Sequence, residues 1–368
     1  MHSQPLTLMN RRHHLPLLFA LLLTGSLLFV GCDSSGPDVE DEVTIDDIDA
    51  TAILTNEASN VILATYVGLE GQAGNLQNAV QAFVDDPSAS TLDAAQQAWI
   101  DTRNPWEASE SFLFGPVAED ELDPALDSWP VDESNIQSVL NSSDAITPAL
   151  VRNLSTNSKG FHTIEFLLFG PNGDKTPSDF TDRDIEYLTA ATTVLFEDTQ
   201  TLANAWRPGQ GGFATDFVDA QTSVASSEKG GLDALAEGME IIADEVGSGK
   251  IGTPLEEGTI ARVESKYSEN SLTDFTNNMR SLRRIYTGDV GNSAGPGLDD
   301  AVAAVNPELD EQIRGEIETA IQTLQGSSLS FRKSIEQNQL QTMRDAQDAI
   351  LDIRDTIQSE LRPLIDNL

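Results

Sequence analysis

The stretch Gly160-Phe161-His162-Thr163-Ile164-Glu165-Phe166-Leu167-Leu168-Phe169-Gly170 sets the terms for the whole chain. It is apolar on almost every side, and a helix of that kind is normally buried. His162 and Glu165 are three residues apart, so on a helix both project from one face. Burying an imidazole and a carboxylate is costly unless each finds a partner. The natural partners are each other, an arginine, or a metal ion. The chain has four histidines, and His2, His13 and His14 fall in a segment read below as a removable leader. His162 is then the sole imidazole of the mature protein. A metal-free arrangement, with His162 paired to Glu165 or another acid inside the core, stays open at this point.

The flanking sequence predicts helices throughout. Val61, Ala64, Tyr66, Leu69, Leu76, Val80 and Phe83 recur at three- and four-residue steps. Asp85-Asp86-Pro87 stops that helix. Ser90 or Thr91 is the expected cap of the next, which runs through Trp99 towards Arg103. A helix is expected over 106–114, after Pro105 and closed by Gly115-Pro116. Residues 118–130 read as an acidic, proline-bearing loop, and 132–157 as one or two short helices. Downstream, a long helix is expected over 182–206, with Ile185, Leu188, Ala191, Leu195, Thr199 and Leu202 on one stripe. Arg207-Pro208-Gly209-Gln210-Gly211-Gly212 breaks it and marks the expected domain boundary. Helices over 232–246 and 273–286 follow, separated by a glycine-rich connection at 247–258. Asn306 caps, and Pro307 begins, a helix closed by Gly326. A last apolar stripe, Leu340 to Leu361, ends at Pro363. No convincing alternating strand occurs. The fold class is all-α, most simply two helical-bundle domains, 51–207 and 213–368.

The N-terminus reads as a secretory leader of 31 residues. Arg11 and Arg12 precede an apolar run from Leu15 to Val30, then Gly31-Cys32, the chain's one cysteine. The junction resembles a bacterial lipobox, which would make Cys32 the lipid-modified first residue of a protein anchored at the bacterial cell envelope. Residues 32–50 read as an acidic tether. Net charge is −39, and loss of Arg11 and Arg12 leaves 19 bases against 60 acids, or −41. Such a surface repels nucleic acid and anionic lipid, so neither is expected as a partner. The acids are spread along the chain, a pattern that fits adaptation to high salt.

An internal echo extends the candidate site. Glu110-Ser111-Phe112-Leu113-Phe114-Gly115-Pro116 nearly repeats Glu165-Phe166-Leu167-Leu168-Phe169-Gly170-Pro171. The alignment sets Glu107 on His162 and Glu110 on Glu165, as two versions of one short buried helix. Packed side by side they would converge three carboxylates and one imidazole, the kind of set with which bundle proteins hold iron or manganese. One imidazole among carboxylates suits hard ions: iron, manganese, calcium or magnesium. A zinc site built from His162 with glutamates, completed by Glu110 or Glu264, is the alternative. HxxE lacks the second histidine of HExxH, which weakens a zinc peptidase reading. Glu264, Ser265, Tyr267 and Asn270 form a polar cluster before a helix. Ser271 and Asp274 have capping-box-like spacing. Arg103 and Arg280 are the expected countercharges, and Trp99, Trp106 and Trp206 are expected mainly in the core.

Gly160-x-His162-x-x-Glu165 resembles the GxHxxE signature of the imelysin-like proteins, peptidase family M75. Trp99-x-x-x-Arg103-x-x-Trp106-x-x-x-Glu110 with Phe112, Phe114, Gly115 and Pro116 resembles the family's first conserved block. Glu264-Ser265-Lys266-Tyr267-Ser268-Glu269-Asn270-Ser271, with Asp274, Asn278, Arg280 and Tyr286-Thr287-Gly288, resembles its later block. The resemblance implies two bundle-like domains with the signature near their junction, in a bacterial envelope protein of a family that is often iron-regulated. Together with the internal echo, it points to a metal set of His162 and Glu165 with Glu110, joined by Glu107 or Glu264. Gly160, Arg103, Trp106, Ser265, Tyr267, Asn270 and Arg280 would line the cleft. Binding of iron or a metal-bearing ligand in an uptake system is the first expectation, with zinc or calcium as other ions. The alternatives are an M75-type metallopeptidase acting through His162 and Glu165, and a metal-free binding or scaffold protein.

Overall fold

Helix-forming periodicity runs almost the length of the chain, and helices are what form. The structure, a computed structural model, describes residues 43–291 and 294–368. The expected leader, Cys32 and most of the tether lie outside the described residues. Every regular element among the described residues is helical, as expected of an all-α chain. No helix there is long and apolar enough to cross a membrane.

The first helix is interrupted rather than straight. Ala50–Asn56 passes through a wide π-type segment, Glu57–Leu63, into Ala64–Asp85. It packs against Ala89–Glu107 and Asp182–Trp206. Asp182–Trp206 matches its expected bounds, and Thr181 caps it through a capping box with Asp184. A second group, Ser271–Thr287, Pro307–Gln325 and Gln341–Thr356, packs against Glu228–Asp244. Residues 43–368 hold together as one unit, with Ala89–Glu107 in contact with Ser271–Thr287 across the middle. The break at 208–212 is a turn before the Phe213–Val218 helix.

Several local expectations are corrected. The cap of Ala89–Glu107 is Ser88, not Ser90 or Thr91; its hydroxyl accepts from Thr91 N, and Thr91 returns a bond to Ser88. Pro105 lies inside that helix instead of before a new one. It has no N–H for the carbonyl of Asp101, and both residues border an open surface depression. The helix expected over 106–114 is therefore the end of this helix plus a short 3₁₀ turn, Glu110–Phe112. The glycine-rich segment after residue 246 is also helical: a π-type stretch, Glu245–Gly252, leads into Thr253–Glu257. Gly247 and Gly252 let Leu351 and Gln347 approach closely there. Finally, the last stripe continues past Pro363 to Asn367, because proline is tolerated in a first turn.

Candidate metal centre

Gly160 explains how His162 reaches its neighbours. Its φ is +73°, and a Cβ there would lie 2.3 Å from the carbonyl oxygen of Leu126. Glycine thus lets the start of the Gly160–Phe169 helix press on the backbone of Leu122–Asp127. That contact brings Asp127 to His162: Nε2 stands 3.2 Å from Asp127 Oδ1 and 3.6 Å from Glu264 Oε1. It is in ion-pair range of both and in hydrogen-bond line with neither. Nδ1 faces Glu165 Oε2 at 3.0 Å. The other oxygen of Glu165 accepts from Tyr267 N at 3.0 Å, Ser268 N at 2.8 Å and Ser268 Oγ at 2.8 Å. Glu165 is therefore fixed by backbone of the later polar cluster and in turn holds the ring.

Around His162 lies a buried ionic network. Arg103, fully buried, contacts Asp127 and Glu107, and its Nη2 lies 3.1 Å from Glu264 and 3.4 Å from Asp274. Trp106 Nε1 donates to Asp127 Oδ2 at 2.7 Å. Lys250 Nζ donates to Glu110 at 2.8 Å and Glu264 at 3.3 Å, with Glu107 at 3.7 Å. Asn278 Nδ2 donates to Glu107 at 2.6 Å and Glu110 at 3.1 Å. Ser265 and Asn270 both donate to Asp274.

The structure thus brings His162, Glu165, Glu107, Glu110, Glu264, Arg103, Trp106, Ser265, Tyr267 and Asn270 together. It leaves out Arg280, which is half-buried and donates to Asn277. The capping expectation for Ser271 and Asp274 is corrected: Ser271 donates to the Glu264 carbonyl, and Asp274 belongs to the ionic network. Two network members were missed from sequence. Asp127 was one of several acids in an apparent loop. Lys250 sat in a glycine-rich apparent linker, although it is one of only six lysines and stands between Gly249 and Ile251.

The electrostatics leave room for a cation. Glu107, Glu110, Asp127, Glu165, Glu264 and Asp274 are all buried, against Arg103, Lys250 and His162. Burial opposes charge on His162, but Asp127, then Glu165 and Glu264, outweigh it and raise the imidazole well above its ordinary value. Burial opposes charge on Asp127 too, yet Arg103 and His162 hold that carboxyl low. Glu264 is held low by Lys250, His162 and Arg103 against the same burial. Glu107 and Glu110 go the other way. Burial pushes both well up, more than Arg103 and Lys250 pull Glu107 down or Lys250 pulls Glu110 down. Burial raises Asp274 to about 6. Acids outnumber bases even with His162 protonated, so protons or an added cation must supply the balance.

The donor set fits a hard metal ion. Ligand atoms of Asp127, His162 and Glu264 lie within 4.8 Å of one another, as do those of Glu107, Glu110 and Asp127. His162 Nε2 and Glu264 Oε2 are buried without hydrogen-bond partners, whereas Glu107 Oε1 is in contact with Arg103. Buried polar atoms left unpaired are uncommon, and two of them stand on residues of the Asp127, His162 and Glu264 group.

The profile of the peptidase M75 family, imelysin, matches residues 62–359. This chain belongs to the imelysin family. It is similar to iron-regulated protein A of Synechococcus elongatus, with 30% identity over 331 residues, 85% of this chain and 88% of that protein. A crystal structure assigned as an iron-regulated protein A precursor from Parabacteroides distasonis superposes with a TM-score of 0.79. Identity there is 27%, covering 87% of this chain and 95% of that one. An imelysin-like protein from Psychrobacter arcticum shares the fold, with a TM-score of 0.70 at 16% identity over 87% and 97% of the two chains. Among imelysins, then, this chain carries its GxHxxE glycine, histidine and glutamate at residues 160, 162 and 165, and all three have an assigned physical task in the geometry above.

Proposed function

We propose that this imelysin binds iron, or a ligand bearing it, at the buried His162 centre, as part of an envelope iron-uptake system. The observation that carries the reading is that Asp127, His162 and Glu264 bring buried ligand atoms within 4.8 Å of one another in a network where acids outnumber bases. The similarity to an iron-regulated protein of Synechococcus elongatus supports iron as the ion. His162, Asp127 and Glu264 are the first ligand set, and Glu165 is the positioning residue that orients the ring through Nδ1, as carboxylates do for metal-bound histidines. Glu107 and Glu110 are a second carboxylate pair beside it. The lipid anchor at Cys32 and the cell-envelope location belong to this proposal, on the strength of the sequence from Arg11 to Cys32. Acylation is tested by metabolic labelling with a fatty-acid probe, which Cys32→Ser should abolish.

Burial favours binding over peptide cleavage. Every network carboxylate is at most 5% exposed, so a scissile peptide bond has no approach without opening the packing. The deciding experiment is a titration of Fe(II), Mn(II) and Zn(II) into wild type and His162→Ala, read by calorimetry. Wild type should bind and the variant should bind about 100-fold more weakly, a loss on the scale of one imidazole ligand with its support. Equal binding by both proteins would remove the site. Chelator-sensitive cleavage of an unfolded protein substrate would return the peptidase reading.

A further inference from the structure

One network residue also borders the surface. Glu110 and Glu245 line a cavity of about 330 Å³ with Leu113, Phe114, Ala234 and Ile241. Asp233 and Glu237 stand on the same cavity, and none of the residues lining it is basic. Arg362, on the outer side, pairs with Asp233 at 2.9 Å and lies 3.8 Å from Glu237, so the rim acids are partly neutralised. At the inner end stands Lys250. Its ammonium lies 3.8 Å from Glu245 towards the cavity, and 2.8 Å from Glu110 and 3.3 Å from Glu264 towards the centre. It also stands 5.2 Å from the ring centroid of Trp129. Lys250 is carried on the π-type stretch Glu245–Gly252, a backbone irregularity of the kind frequent at functional sites. Beyond it, Glu264 Oε2 is buried and unpartnered.

We infer that this acidic cavity is the cation's way into the centre, and that Lys250 is a tethered cation which an arriving metal ion must displace. The inference rests on the proposed metal centre and adds its route and its competitor. An ammonium holds the same carboxylate oxygens that a metal would take, as a compact point charge on a flexible stem. It can withdraw towards Glu245, a partner half in solvent, without leaving ionic contact. A guanidinium locked among four acids, as Arg103 is, has no such freedom. The acids at the rim raise local cation concentration and so act on the association rate.

The test uses Mn(II) as probe on the full mature chain, with tryptophan fluorescence as the stopped-flow signal, since Trp129 adjoins Lys250. In wild type the association rate should level off as Mn(II) rises, because withdrawal of Lys250 becomes limiting. In Lys250→Met it should stay linear, and affinity should rise at least tenfold. The surface variant Glu237→Gln, which leaves Lys250 its retreat partner Glu245, should associate about twofold more slowly with an unchanged dissociation rate, and it keeps the question answerable if Lys250→Met folds poorly. If wild type binds Mn(II), His162→Ala does not, and these variants all match wild type, the route and the displacement are wrong while the centre stands. If neither wild type nor Lys250→Met binds Mn(II), the centre and the inference fall together.

Discussion

Two turns of this protein share one sequence pattern and have opposite electrostatic constructions. In the turn of His162 and Glu165, the carboxylate is met by two backbone N–H groups and a hydroxyl from residues 267–268, and by the imidazole. In the turn of Glu107 and Glu110, the carboxylates are met only by the side chains of Arg103, Asn278 and Lys250. Backbone donors cannot leave, whereas an ammonium can. The first turn is therefore a fixed mount for the imidazole, and the second is a set of acids whose countercharge can be exchanged. Burial pushes Glu107 and Glu110 well above the usual carboxylate range.

The largest expected effect comes from attacking the fixed mount. Glu165→Ala strands two buried N–H groups, the Ser268 hydroxyl and one side of His162. Removing one partner of such a buried set costs about 3–5 kcal/mol. Glu107→Gln should cost less, about 1 kcal/mol, because burial already pushes that carboxyl towards its neutral form and an amide oxygen still accepts from Asn278. Urea unfolding of both variants checks the contrast. A Glu107→Gln penalty as large as that of Glu165→Ala would break it.

A smaller contrast lies where the two turns end. Gly115 and Gly170 close them at φ of +66° and +72°. A Cβ costs strain at either, on the order of 1–3 kcal/mol. At Gly115 it would also meet the Phe213 ring at 2.3 Å, whereas at Gly170 its nearest neighbour is Lys175 Cβ at 3.1 Å. The Phe213 ring is packed on Trp206 with centroids 4.9 Å apart, so it has little room to retreat. Gly115→Ala should therefore lower the melting temperature by more than Gly170→Ala, by several degrees. Equal shifts would mean that backbone strain alone decides both.

The contrast also marks how far sequence could be read. Helix stripes such as Ile185 to Leu202 were legible because periodicity reports a buried face directly. His162, Glu165 and the echo at Glu110 were legible because ionisable residues in apolar runs demand partners. Asp127 was not legible, since nothing in 118–130 separates the acid that is buried from those that are solvated. Its burial depends on Gly160 pressing on Leu126, a long-range contact with no local signal. Lys250 was hidden for a different reason. Glycines around it suggested a linker, but here they serve close packing against Gln347 and Leu351 within a wide helical turn. Asp274 was taken for a capping residue because its spacing from Ser271 is right, and only the fold shows Arg103, Ser265 and Asn270 claiming it.

The smallest effect concerns Asp274 itself, and its sign separates buried acids of this network from surface ones. Burial raises Asp274 from 3.8 to about 6 in the folded protein. Below about pH 3.8 the group is protonated in both folded and unfolded chains, and its contribution is fully present. Between about 3.8 and 6 the unfolded chain gives up the proton while the folded one keeps it, so this contribution is lost as pH rises through that window. Asp274→Asn has no such proton to lose. It sacrifices part of the bonding to Ser265, Asn270 and Arg103 at every pH, so it should be less stable than wild type at pH 4. The difference should narrow as pH rises to 6 and then stay level. Urea unfolding of both proteins at half-unit steps from pH 4 to 7 measures it. A difference that widens with pH would mean Asp274 behaves like a solvated, salt-bridged acid, and the balance of charge drawn for the exchangeable side of the network would have to be redrawn with one more fixed anion.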